Sequence, residues 1–220
     1  MIISHKYKFI FIANPKTATQ YIRKVLEPFL DVTDDEISYL FKIKKSKYSK
    51  LNKLKTEHIR AVDIKNIVGN KIWNSYFKFS FIRNPYSRFV SIFLFNNRNK
   101  KYYSDINNLI RNWKENNIVL KEFKKMSNKN FFKKTQSYWF SDENDNLIID
   151  FIGDFDNLHN DLKYIFNKCS IGKYSKIKKI NSSISHNYKD YLNNDTIKFI
   201  DEYYKKDFYI LNKLKFRCLN

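Results

Sequence analysis

A three-layer α/β/α fold, with helices on both sides of a mainly parallel sheet, is what this chain predicts from three observations. The apolar run Phe9 to Ala13 has the length and continuity of a strand buried on both faces. Ile22, Val25, Leu26 and Phe29 follow at helical spacing, so the chain opens with a P-loop-like strand, loop and helix. A second such unit begins with Phe77, Phe79, Phe81 and Ile82, is broken at Asn84-Pro85, and continues with Phe89, Ile92 and Phe93 on a helical face expected to turn to the sheet. Without repeats, low-complexity linkers or a shift in composition, residues 1–220 read as a single domain.

Taken in order, Lys6 to Ala13 is the first strand and Tyr21 to Leu26 the body of the first helix. Asp34-Asp35-Glu36 ahead of Ile37, Leu40 and Phe41 place acids in a first turn before an apolar stripe, which predicts a short helix within 31–41. Lys42 to Lys55 carries seven lysines and no acid, either as a mobile loop or as a rim that faces an anion. Thr56 to Val68 has a helical pattern that stops at Gly69. Lys71 to Arg83, with Trp73 and Tyr76, is the second strand, and Tyr86 to Phe95 the helix behind it. Two polar helical pieces are expected at 106–113 and 118–126. A charged turn at Asp142 to Asn146, a strand at Leu147 to Ile152, a helix at Leu158 to Phe166 and a closing helix at Ile197 to Leu211 complete the chain.

The balance of 42 basic against 22 acidic residues gives a formal charge of +20. A field of that sign steers anions, whether nucleic acid, anionic glycan, anionic membrane or nucleotide, and by itself does not choose among them. Two cysteines, Cys169 and Cys218, exclude a disulfide framework and suit a reducing compartment. No apolar run approaches the ~20 residues of a membrane helix, and the first residues carry Lys6 and Lys8 in place of a signal core. A cytoplasmic protein without a membrane span is expected.

The loop Asn14-Pro15-Lys16-Thr17-Ala18-Thr19-Gln20 joins a strand's carboxyl end to a helix's amino end, where open α/β sheets bind anions. Backbone N–H groups of the first helical turn, the hydroxyls of Thr17 and Thr19 and the Lys16 ammonium are candidates to converge on one phosphate or sulfate.

Pro15-Lys16-Thr17-Ala18-Thr19 after an apolar strand resembles the 5′-phosphosulfate loop of sulfotransferases that use 3′-phosphoadenosine-5′-phosphosulfate (PAPS). Phe79 to Ser91, with Ile82-Arg83-Asn84-Pro85 at its centre, resembles that family's 3′-phosphate motif, and the two occur in the family's order. The resemblance spans nearly the whole chain and is densest at 9–26, 56–95 and 135–166. It implies a sulfotransferase-like fold that binds PAPS through Pro15, Lys16, Thr17, Ala18, Thr19, Gln20, Arg83, Ser91, Asn181 and Ser182, and needs no metal. Lys16 is implied to neutralise the leaving phosphate. Arg83 and Ser91, eight residues apart, are suited to clamp the distal phosphate. His58 stands ahead of the Arg83 strand, as a His does in the carbohydrate branch typified by heparan sulfate 2-O-sulfotransferases, and is the candidate general base, with Glu57 or Asp63 as substitutes. The implied acceptor is a hydroxyl of a glycan or glycoconjugate, an anionic one being suited to the basic stretch before His58; nucleic acid is not expected as a partner.

The loop departs from its relatives in having no glycine, and Gln20 stands where Ser is frequent. Two other readings remain open at this level. A P-loop nucleotide kinase shares the strand-loop-helix and Lys16-Thr17 but requires glycines absent here. A non-catalytic binder of nucleic acid or another polyanion would use the basic charge directly.

Overall fold

The computed structural model describes residues 1–36, 46–53, 56–96, 105–116, 129–178 and 187–217. They divide into two compact units, one of residues 1–82 and 136–181, the other of residues 83–135 and 182–220.

The first unit is built on a five-stranded sheet in the order β3-β1-β2-β4-β5, formed by β1 (Ile2–Ser4), β2 (Phe9–Phe11), β3 (Asp35–Glu36), β4 (Phe77–Ile82) and β5 (Phe151–Asp154). β2, β4 and β5 run parallel, while β1 pairs antiparallel with both β2 and β3, so the sheet is mixed with a parallel centre. Its helices ahead of β4 are α1 (Thr19–Leu26), α2 (Ser49–Asn52), α3 (Ala61–Val68) and α4 (Asn70–Ser75). Alternation decides the packing. Phe9, Phe11, Ala13, Phe79 and Phe81 face one way, against Ile22, Val25 and Leu26 of α1 and Leu162, Ile165 and Phe166 of a later helix. Ile3, Ile10, Ile12 and Ile82 on the other face are also buried, and Trp73 of α4 lies there with the Lys78 ammonium 5.6 Å from its ring centroid.

In the second unit α5 (Pro85–Asn96), α6 (Ile106–Asn116) and α7 (Lys129–Lys133) pack with two C-terminal helices; α8 (Leu158–Lys168), between them in the chain, belongs to the first unit. The C-terminal pair is α9 (Asn194–Tyr203) and α10 (Lys205–Arg217). Phe89, Ile92 and Phe93 of α5 join Leu109, Phe132, Ile200 and Tyr204 in an all-helical core. The face of α5 expected to turn to the sheet therefore turns to other helices. Arg88 is buried in the same unit, with its guanidinium on the carbonyl oxygens of Phe131 and Lys134.

Several local expectations are corrected. The first strand is a hairpin: β1 and β2 are separated by a turn at residues 5–8, where Asp34 accepts from the backbone N–H groups of His5 and Lys6 and Ser4 Oγ accepts from Tyr7. Asp34 and Asp35 are buried beside that turn, and Asp35–Glu36 forms a strand where a helix was expected; residues 37–41 lie outside the described residues. The helix expected from Thr56 begins only at Ala61, and Gly69 ends it at φ 82°. Asn70–Ser75 is helical, so the strand expected from Lys71 starts at Phe77. Leu147 makes an isolated antiparallel bridge to Ser141, and the strand proper begins at Phe151. The closing helix breaks at Tyr204, whose buried hydroxyl donates to the Phe132 carbonyl. Of the basic stretch, residues 42–45 and 54–55 lie outside the described residues, as does the helix expected at 118–126.

Candidate active site

At the carboxyl end of β2 the chain is held before it turns. The Ile12 N–H donates to the Phe79 carbonyl at 2.9 Å and Ser80 Oγ donates to the Ile12 carbonyl at 2.9 Å. Asn14 is buried and spends its amide N–H groups on the Phe81 carbonyl at 2.8 Å and Gln136 Oε1 at 3.3 Å, which fastens the loop to β4. Pro15 and Thr17 are buried, and the Thr17 hydroxyl donates to the Asn14 carbonyl at 2.9 Å. The single proton of that hydroxyl thus closes the loop on itself, and donation to an anion falls to backbone N–H groups, the Thr19 hydroxyl and Lys16.

Lys16 and Ala18 have φ of 67° and 60°, in the left-handed region, and Thr17 between them does not. Backbone that alternates in this way curves successive N–H groups into an anion-binding concavity. Neither residue is glycine, so the loop stores roughly 1–2 kcal/mol of strain at each position. Ala18 caps α1 without any side-chain hydrogen bond, and Ile22 is the residue whose N–H returns to the Ala18 carbonyl. The N–H groups ahead of it in the first turn have no carbonyl of their own helix to meet.

Residues 56–60 form neither helix nor strand, and several of their side chains are tied to other elements. Glu57, 8% exposed, accepts from Arg23 Nη1 at 2.6 Å and from Gln20 Nε2 at 3.3 Å. Gln20 and Arg23 stand three apart on one face of α1, so a single carboxylate receives both. Gln20 is therefore turned to Glu57, leaving its backbone N–H as its contribution to the loop. His58 Nδ1 lies 2.7 Å from the Ala13 carbonyl oxygen, which makes Nδ1 the protonated nitrogen of the neutral ring, and Nε2 lies 3.4 Å from Glu57 Oε1. Burial pulls the His58 imidazole down to about 4, against the opposing pull of the Glu57 carboxylate and the Ala13 carbonyl. Burial likewise lowers Arg23 from its ordinary value, with Glu57 opposing.

Beside His58 is a groove of about 430 Å³ walled by Thr56, Arg60, Asp63, Asn66, Tyr138 and Trp139. Asp63, named as a substitute base, is on this wall and Glu57 is behind it. Trp139 sits with its ring centroid 6.0 Å from that of His58.

Arg83 and Ser91 belong to the second unit. Asn84 Oδ1 accepts from Tyr86 and Ser87 and caps α5, with Pro85 at its first position. Arg83 Nε donates to Ser87 Oγ at 3.0 Å, so Arg83 lies along the helix that carries Ser91. β4, which ends at Ile82, is the parallel neighbour of β2 in the sheet of the first unit. Asn181 and Ser182 lie outside the described residues. Cys169 is buried, its thiol pushed up to about 11, which makes it inert.

The Arg23–Glu57 pair and Arg60 were not singled out from the sequence, and Tyr138-Trp139 fell at the start of the family-like region 135–166 with no role assigned to them. The spacing of Gln20 and Arg23 was the available signal for the first; nothing local marks the others.

Among curated proteins the chain is similar to an uncharacterized protein of Archaeoglobus fulgidus, 28% identical over 129 residues that make up 59% of this chain and 96% of that protein. No solved structure matches it. The model of the sulfotransferase family matches residues 1–213, which takes in the Lys16 loop, His58, β4 and α5, and the chain therefore belongs to the sulfotransferase family.

Proposed function

We propose that this chain moves a sulfuryl group from PAPS to a hydroxyl on a carbohydrate, with both compact units acting as one catalytic domain. The observation that carries the reading is the tie between His58 and Ala13: a neutral imidazole is fixed against the residue that begins the anion loop, with a groove beside it.

The loop fits a phosphosulfate on its own geometry. Left-handed Lys16 and Ala18 curve the backbone around a concavity, and α1 opens there with no side-chain cap. Lys16 to Gln20 hold the 5′ oxygens through backbone N–H groups and the Thr19 hydroxyl, with Pro15, which has no N–H to donate, shaping the turn before them, and Arg83 and Ser91 hold the 3′ phosphate, joined by Asn181 and Ser182. When bound, the donor supplies the sulfuryl group and a phosphate whose bridging oxygen gathers negative charge as its bond to sulfur breaks. Lys16 neutralises that charge. His58 Nε2 takes the proton of the acceptor hydroxyl as its oxygen bonds to sulfur, and the Ala13 carbonyl keeps Nδ1 as the donor nitrogen. Glu57, 3.4 Å from Nε2, stabilises the imidazolium that results. Trp139, 6% exposed, packs between His58 and Tyr138 and backs the groove wall.

The test supplies radiolabelled PAPS with panels of polysaccharides, phenols and peptides to wild type and His58→Ala. Label is expected on polysaccharides and lost without His58. Label confined to phenols, or reaching glycans equally without His58, overturns the assignment.

A further inference from the structure

Arg60 is held in an unusual way for a residue on a groove wall. Its guanidinium carbon sits 4.3 Å from the Tyr138 ring centroid, Nε donates to the Tyr138 carbonyl at 3.4 Å and Nη2 to the Asp142 carbonyl at 3.4 Å. These contacts leave the Arg60 side chain 14% exposed and fix its plane before any ligand arrives. Its remaining partner is different in kind: Nη1 donates at 2.9 Å to Glu143 Oε1, and the Glu143 side chain is 72% exposed. An ion pair with so wet a carboxylate holds weakly and is readily exchanged for another anion. Glu143 is not part of the groove wall, whereas Arg60 is. Along that wall Lys50 and Arg60 oppose the single carboxylate of Asp63, so the groove keeps an excess positive charge.

We infer that Arg60 reads a carboxylate on the sugar acceptor and that Glu143 is an intramolecular placeholder which the acceptor displaces. The inference rests on the groove beside His58 being the acceptor site. Displacement costs little because Glu143 swings into water, and Arg60 keeps its ring stack and its two carbonyls, so an acidic sugar gains a fork already in position. A neutral sugar cannot supply the exchange, and the placeholder then stays in place. Arg60 and Glu143 together therefore act as a specificity filter at the groove.

The experiment titrates the full chain, without donor, with a uronic-acid polysaccharide and with the same polymer after chemical reduction of its carboxyl groups, and follows tryptophan fluorescence. Wild type is expected to prefer the acidic form. Arg60→Gln should bind both forms alike, at the affinity wild type shows for the reduced one. Glu143→Gln, an exposed change that leaves the fold untouched, should tighten the acidic form about two- to fivefold and leave the reduced form as it was. Equal loss of both forms in Arg60→Gln, or no gain in Glu143→Gln, overturns the inference. Sulfuryl transfer is measured in parallel. If no acceptor is labelled while the acidic preference persists, the proposed function fails and the filter stands; if neutral and acidic glycans are labelled equally and bind equally, the filter alone fails.

Discussion

His58 Nδ1 lies 2.7 Å from the carbonyl oxygen of Ala13, so the imidazole is fastened to the segment that leads from β2 into the Lys16 loop. The bond chooses the tautomer, and burial holds the ring down to about 4. In the unfolded chain the same imidazole titrates near ~6.5. Since the unfolded state takes up the proton first, the contribution of neutral His58 to stability is complete above about pH 6.5 and is lost as the pH falls toward 4, by roughly 3 kcal/mol. Urea denaturation at pH 7.5, 6 and 5 should show this decline in wild type and a shallower one in His58→Gln. The acid limb of kcat/KM should likewise lie near pH 4; a limb near pH 6.5 would mean that the base is solvated.

Glu57 binds Arg23 at 2.6 Å, and the Arg23 side chain is 1% exposed. Removing the carboxylate leaves a buried guanidinium without its charge partner, which typically costs about 3–5 kcal/mol. Glu57→Gln should therefore lower the urea midpoint substantially, and Arg23→Met with Glu57→Gln together should recover much of the loss. If the single variant is as stable as wild type, the pair has no structural role.

Where sequence and structure agree, the information is local. Phe9 to Ala13, the loop and α1 are contiguous, and a run buried on both faces followed by helical spacing leaves few alternatives. What was misread depends on partners far along the chain. The turn at residues 5–8 has no glycine or proline to announce it and is held by Asp34, 28 and 29 residues on. Trp73 and Tyr76 suit a strand as well as a helix by type; Trp73 is buried within α4, and Tyr76, just past its end, is extended. Arg23 meets Glu57 across 34 residues and Arg60 meets Glu143 across 83, distances at which spacing carries no signal.

Gly153 is a position the sequence marks without explaining. A glycine inside a strand pattern suggests close approach, and a Cβ there would fall 2.4 Å from the ring of Phe81, which is fully buried. Gly153→Ala should overpack this contact between β4 and β5 and cost about 1–3 kcal/mol, read as a lower melting temperature. An unchanged melting temperature would show that the ring moves freely.

The two left-handed residues of the loop allow strain and chemistry to be separated. Ala18→Gly removes a Cβ from a residue at φ 60° and should stabilise the fold by about 1 kcal/mol, measured by urea denaturation. Lys16 is at φ 67°, so Lys16→Gly should stabilise by a similar amount and Lys16→Ala should not. Both Lys16 variants lose the ammonium proposed to meet the leaving oxygen, and each should lower kcat by about 10²–10³. Arg83 is proposed to hold the 3′ phosphate, so Arg83→Ala should act first on affinity, and its loss for 3′,5′-adenosine bisphosphate should vanish for the analogue without the 3′ phosphate. A Lys16→Ala enzyme of normal turnover would remove Lys16 from the mechanism. A gain in stability in Lys16→Gly accompanied by retained turnover would mean that neither the strain at this position nor its charge is needed for the reaction.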